Sequence, residues 1–297
     1  MCDKNIPMRS TTTTILLILV LLLTSCTSRE IRPGIYVTDD YQRLPLPTSG
    51  YRIYIVGEAH GNRETKSIFI AYLKLLHARA GVRDVILEED QAYESRANAF
   101  VLGEETALIP ELCLRDDVLT LIRDFNAAQG AGEKVRVHFV DVDSPLSSVH
   151  LHLRSLHERI GAPAASIQIP DLAEFETWSP AQMYELVSAL ESAAAEDAYV
   201  LNGLQTIHDS LKWYWLGNRV ETGPANGNRF LFAPIREDII TNNVQFLVGN
   251  SDLPYLVFYG SAHGMKLQAD PNPPRKGFTS WAQRVFESGI PVYSLDT

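Results

Sequence analysis

Two stretches two hundred residues apart repeat one construction, and it restricts the fold more than anything else in the chain. Residues 51–61 read YRIYIVGEAHG and residues 255–264 read YLVFYGSAHG. In each, a run of β-branched and aromatic residues stops at a glycine, and a histidine follows three positions on. Short, continuously apolar runs of this kind are strands buried on both faces, the usual state of strands in a parallel sheet covered by helices. Each strand therefore carries a Gly-x-x-His at its carboxyl end.

The sequence between them fits that sheet. After the first run, Asn62 is a helix N-cap, Ile68, Tyr72, Leu75 and Leu76 recur at helical spacing, and Gly81 stops the helix. A second strand, Val85-Ile86-Leu87, then runs out into Glu88-Glu89-Asp90. Strand, helix and strand in so short a span form a βαβ unit, so the two strands are parallel and their ends lie on one edge. Helices are predicted at about 93–102 and 118–128, a third strand over 135–140 ending in Asp141-Val142-Asp143, a helix over 235–248, a short helix over 278–286 and a last strand at 292–295. The expectation is an α/β fold, a mainly parallel central sheet flanked by helices, with a helical insertion at about 147–217. Within it, 181–196 and 199–216 read as a helical pair, and Pro163, Pro170 and Pro180 mark loops. His150, His152 and His157 do not share one helix face, and His138 reads as a structural histidine inside its strand.

The beginning of the chain is a separate matter. Lys4 and Arg9 precede an apolar run at 15–23 and then Leu23-Thr24-Ser25-Cys26. The run is short for a bilayer span and has the layout of an export signal. The tetrapeptide resembles the bacterial lipobox, which implies cleavage after residue 25 and acylation of Cys26. The organisation expected is a signal peptide over 1–25, a tether over 26–50 broken by Pro33, Pro45 and Pro47 with a short edge strand at 35–37, and a single α/β domain over 51–297. The place implied is the bacterial cell envelope, lipid-anchored on the periplasmic side of the outer membrane in a Gram-negative cell. Cys113 is then the one unmodified cysteine and no intrachain disulfide can form. A net charge of −10 argues against nucleic acid as a partner.

In an open α/β sheet the binding crevice lies beyond the carboxyl ends of the strands. Here the four strongest strands end in Glu58 and His60, in Glu88 and Glu89, in Asp141 and Asp143, and in His263. Arg236 lies in line with Ile240, Asn243 and Leu247 on the apolar stripe of its helix, where a cation requires an anionic partner. These residues allow two chemistries. His60, Glu88 and His263 can hold a divalent metal that lowers the pKa of a bound water. Without metal, His60 can take a proton from water while Glu58 or Glu88 orients it and Arg236 stabilises the oxyanion. Spacing does not separate the two. No Gly-x-Ser-x-Gly elbow, phosphate loop or dinucleotide fingerprint is present; Cys113 lies in a loop-like ELCLRDD, and Ser261 follows a strand but ranks below the histidines as a reacting group.

Gly57-Glu58-Ala59-His60-Gly61, the acid at Glu88, an arginine opening a late helix at Arg236, and Gly260-Ser261-Ala262-His263 together resemble the erythromycin esterase, ChaN, TraB and Tiki superfamily, over most of the chain from Tyr51. The resemblance implies an α/β fold with helical insertions, and functions that include macrolide esterases, metal-dependent peptidases and haem-binding lipoproteins. It matches His60, Glu88, Arg236 and His263 to the superfamily's motif positions, and Glu58 to the Gly-Glu opening of the esterase and ChaN branches. The chain departs from the erythromycin esterases in having one residue fewer between that glutamate and histidine, and Ile240 stands where some relatives carry methionine. The expectation is a lipid-anchored hydrolase of an ester or amide, metal-assisted, with a small-molecule or peptide substrate. The alternatives are a ChaN-like haem- or metal-binding lipoprotein without turnover, and a scaffold that has lost its chemistry.

Overall fold

The structure is a computed structural model that describes residues 29–32, 35–37, 46–58, 62–220, 229–264 and 279–295. The predicted signal segment, Cys26, His60 and the proline loop around 271–274 lie outside the described residues. The chain divides into two units, Met1–Pro47 and Thr48–Thr297. In the first, β1 (Arg29–Arg32) pairs antiparallel with β2 (Ile35–Val37).

The second unit is built on five parallel strands: β3 (Ile53–Glu58), β4 (Asp84–Asp90), β5 (Arg136–Asp141), β6 (Tyr255–Gly260) and β7 (Val292–Leu295). Their order across the sheet is β5-β4-β6-β3-β7. The two glycine-ended strands β3 and β6 are thus central neighbours, paired from Ile53↔Tyr255 to Glu58↔Gly260. All six residues of each are buried, which is why both read as unbroken apolar runs. Since every pairing is parallel, all five carboxyl ends share one edge.

Alternation along the strands separates the two faces. Tyr54 meets Tyr72, and Phe258 meets Phe69, with ring centroids 6.1 and 4.8 Å apart. Both partners come from α1 (Arg63–Ala80), capped by the Asn62 side chain accepting from the Glu64 N–H and ended by Gly81 at φ 74°. Toward the other face, Ile53, Ile55, Val257 and Tyr259 share a core with Ile240, Val244, Trp281 and Val285. Those come from α8 (Arg229–Gly249) and α10 (Trp281–Glu287). α2 (Glu94–Leu102) and α3 (Asp116–Ala127) lie between β4 and β5 in sequence.

Between β5 and α8 come α4 (Leu146–Ile160), α5 (Leu172–Phe175), α6 (Pro180–Ala194) and α7 (Ala198–Val220). They have a core of their own, with Leu153, Leu156, Phe175, Leu190, Leu204 and Ile207 among its members. A Cβ at Gly203 of α7 would lie 2.9 Å from Leu156 Cδ1 and 3.1 Å from His152 Nε2, so glycine permits the close approach of α7 to α4. Among the described residues no helix is long and apolar enough to cross a membrane.

Two local expectations are corrected. The ELCLRDD segment is not a loop: Pro110–Arg115 is a 3₁₀ helix running into α3. Arg236 does not open its helix either, because α8 begins at Arg229 and passes through Pro234. Proline disfavours the helical state in the residue before it, which is why the sequence reads as a start near 235.

Candidate functional site

The carboxyl edge gathers charges that would be costly to bury singly, and each is met by a partner. Glu88, near the end of β4, accepts at Oε1 from Arg236 Nη2 (2.7 Å) and at Oε2 from the Gly260 N–H (2.8 Å). This second bond fastens β4 to the last residue of β6. Asp141, at the end of β5, takes Arg236 in a two-pronged pair, Nε to Oδ1 at 2.8 Å and Nη2 to Oδ2, the geometry that suits a planar guanidinium. The Tyr259 hydroxyl donates to Asp141 Oδ2 (2.8 Å) and the Val142 N–H to Oδ1 (2.8 Å). Burial pushes the Asp141 carboxyl up, but the bonds from Arg236 and Tyr259 outweigh it and hold Asp141 below its ordinary value. The Tyr259 hydroxyl is raised well above its ordinary value by burial and by Asp141.

Arg236 is thus anchored on one side. Its Nη1 makes one contact among the described residues, at 3.4 Å to His263 Nε2. His263 sits in α9 (Ser261–Gly264), directly after β6. Gly264 lets this turn lie against β3, where a Cβ would come 3.0 Å from Ile55 Cγ2. The other ring nitrogen, Nδ1, is bonded to Glu237 Oε1. Glu237 is fully buried, and its Oε2 accepts from the Trp281 N–H at 2.5 Å.

A second network adjoins the first. Arg115 donates from Nη1 to Glu58 Oε2 and from Nε to Glu89 Oε1, both at 2.6 Å, and from Nη2 to the Glu88 carbonyl at 3.2 Å. It thereby ties the end of β3 to the end of β4. Burial raises the Glu89 carboxyl, with Arg115 opposing. A third cluster lies toward α4. Asp143, fully buried, accepts from the Ala92 N–H (2.9 Å) and from His152 Nδ1 (2.6 Å). Asp90 accepts from the Ser144 N–H at 3.0 Å, and burial together with Asp143 pushes its carboxyl up to about 8.

Of the residues singled out by sequence, Glu88, Arg236 and His263 meet in one network, and Glu58 is held beside it by Arg115. His60, two positions beyond Glu58, lies outside the described residues. Sequence reasoning passed over Glu237, Arg115 and Tyr259, and gave Asp141 no role. Glu237 carried a legible signal: it stands three and seven positions before Ile240 and Val244, and all three are buried. Arg115 carried none, since nothing periodic surrounds it. His138 is structural as expected, with Nε2 3.0 Å from Asp84 and Nδ1 3.4 Å from Glu94.

Of the expected metal set, Glu88 and His263 are among the described residues and His60 is not. Among the described residues no group of three His, Cys, Asp or Glu side chains could hold a metal ion. The Arg236 guanidinium bridges Glu88 Oε1 and His263 Nε2, so a cation already stands between the two donors. What the arrangement offers is an imidazole, a guanidinium with one arm turned toward it, and carboxylates that hold both.

No protein-family model matches the chain, and no curated protein matches it. Solved structures do. A mutant of the erythromycin esterase EreC, in its open conformation, superposes at a TM-score of 0.62 with 15% identity, covering 91% of this chain and 76% of that one. A Bacillus cereus protein gives 0.55 at 19% identity over 84% and 66% of the two chains, and a succinoglycan biosynthesis protein 0.56 at 13% over 82% and 65%. The chain thus spans just under two thirds of those last two proteins. ChaN of Campylobacter jejuni, whose structure binds cofacial haem, aligns at a TM-score of 0.35, below the likeness of a shared fold. The fold of this chain is thus similar to that of EreC.

Proposed function

We propose that this chain is a hydrolase of an ester or amide bond, working at the carboxyl edge of the sheet with His263 and Arg236 as its central pair. The observation that carries the reading is the asymmetry of Arg236. Asp141 and Glu88 take its Nε and Nη2, and Nη1 is turned to His263 Nε2 at 3.4 Å. A guanidinium has five N–H donors, so Nη1 retains capacity for an oxyanion beside a base.

The reaction that suits this pair is attack by water. His263 takes a proton from water as its oxygen bonds to the carbonyl carbon. Negative charge gathers on the carbonyl oxygen, and Arg236 Nη1 stabilises it in place of bulk solvent. Collapse breaks the carbonyl carbon's bond to the alcohol or amine, which leaves with the proton that His263 took, so acid and alcohol or amine are the products. Glu88 and Asp141 keep Arg236 in position throughout. The superfamily resemblance adds His60, two positions after Glu58 in the sequence, as a second imidazole. The likeness in fold to an erythromycin esterase supports ester hydrolysis. The cation already placed between Glu88 and His263 favours a reaction run by these side chains over the metal-assisted one.

Turnover of a panel of carboxylic esters and amides in H₂¹⁸O tests this by mass spectrometry. One labelled oxygen in the released acid is expected. A folded, monodisperse protein that turns over no member of the panel contradicts it. The envelope location rests on Leu23-Thr24-Ser25-Cys26. Labelling with palmitate in a bacterial host is expected for the full chain and not for Cys26→Ser; equal labelling of both overturns the anchor.

A further inference from the structure

Two neighbours on α8 engage opposite nitrogens of one imidazole. Glu237 Oε1 is bonded to His263 Nδ1. Arg236 Nη1 faces His263 Nε2 at 3.4 Å. A carboxylate offers acceptors and a guanidinium offers donors, so the two contacts agree on where the ring proton is. Both suit a proton on Nδ1 and a lone pair on Nε2.

We infer that Glu237 is the positioning residue of the site, fixing His263 as the Nδ1–H tautomer with Nε2 as the nitrogen that meets substrate. This rests on the hydrolytic reading of the same site and adds to it a residue to which no role was assigned. Glu237 is itself immobilised. It is fully buried, its Oε2 accepts from the backbone N–H of Trp281, and Trp281 is fully buried too. The Trp281 and Tyr259 rings meet edge to face with centroids 5.8 Å apart, and Tyr259 lies 5.8 Å from the His263 ring. The first turn of α10, the last residues of β6 and α8 therefore grip one carboxylate–imidazole pair between them. An acceptor on Nδ1 sets both the tautomer and the plane of the ring, the arrangement that lets a neutral imidazole act as a base from Nε2.

Substitution by glutamine is informative because its amide has only one acceptor. The buried Trp281 N–H requires that oxygen, which turns the amide NH₂ toward Nδ1. His263 must then present a lone pair at Nδ1 and a proton at Nε2, facing the Arg236 guanidinium donor to donor. The tautomer is inverted while the shape of the side chain is kept.

The test is long-range ¹H–¹⁵N spectroscopy of full-length protein labelled with ¹⁵N-histidine, with His263 assigned by its loss in His263→Gln. Wild-type protein at neutral pH should show a protonated Nδ1 and a bare Nε2 at His263. A protonated Nε2 with a bare Nδ1 in wild-type protein overturns the inference, whether or not any variant folds. In Glu237→Gln the two ¹⁵N shifts should exchange, and kcat on an ester that wild-type protein cleaves should fall at least about 100-fold with KM changed little. An unchanged kcat in folded Glu237→Gln, alongside a loss in His263→Asn, overturns the role of Glu237 and leaves the hydrolytic reading intact. The predicted tautomer in a protein that cleaves nothing leaves the positioning intact and overturns the hydrolytic reading.

Discussion

Arg115 and Arg236 are both partly buried among carboxylates, yet they answer for different properties. Arg115 holds Glu58 and Glu89 together, with Glu58 only 5% exposed. Arg115→Ala removes a cation that two carboxylates share, and unfolding by urea should show a loss of about 3–5 kcal/mol, the usual result of breaking a buried pair from one side. A loss under about 0.5 kcal/mol would show that water already compensates those carboxylates. Glu88 instead aims Arg236. Glu88→Gln keeps an acceptor but drops the charge, and kcat should fall about 10²-fold with the melting temperature lowered little; equal rates would mean that Asp141 alone positions the guanidinium. Glu88 and His263 were legible in the sequence because each sits where an apolar strand stops. Arg236 was legible because a cation interrupts an apolar stripe. Arg115 was not, since its partners are brought to it by the sheet and no local pattern encodes that meeting.

The helix α8 joins the site to the rest of the fold. Besides Arg236 and Glu237 it carries Asn243, whose Nδ2 donates to the Val140 carbonyl at 3.0 Å while its Oδ1 accepts from Asn202 Nδ2 (3.0 Å) and the Thr206 hydroxyl (2.9 Å). One buried amide thus ties α8 to β5 and to α7. Asn243→Ala should lower stability in denaturant unfolding by about 1–3 kcal/mol, the cost of leaving buried polar partners unmet; an unaltered midpoint would show that those groups find other partners. Elements bounded by caps were the ones readable in advance, as Asn62 and Gly81 are for α1. The start of α8 was not, because Pro234 lies inside a helix that packing sustains. The 3₁₀ turn at Pro110–Arg115 was not either, having too few residues for periodicity.

At the scale of the molecule, two pairings away from the central pair link stability to pH. Burial pushes the His138 imidazole down, but bonds to Asp84 and Glu94 outweigh it and raise it to about 9. A histidine raised in the fold gives stability that is full below about pH 6.5 and is lost as pH climbs toward 9. Asp90, pushed up to about 8 by burial and by Asp143, stays protonated in the fold while the unfolded chain releases its proton near pH 4, so its contribution falls between about pH 4 and 8. Both slopes have the same sign from about pH 6.5 to 8. Calorimetry should show the melting temperature falling across that interval, with a shallower fall in Asp90→Asn; a rise or an unchanged slope would contradict the assignment. The parallel sheet and its flanking helices were readable at this scale because the strands repeat one pattern. The protonation of Asp90 was not, since it depends on Asp143 being buried beside it.

The proposed hydrolysis depends on His263 as the group that moves the proton. The most direct measurement is kcat/KM of His263→Asn against wild-type protein on the ester that wild-type protein cleaves fastest, with the melting temperature recorded for both. A fall of about 10²–10⁴-fold in a variant that melts within a few degrees of wild type is the predicted result, the range expected for loss of a general base. An undiminished rate in the folded variant would place the chemistry elsewhere and contradict it.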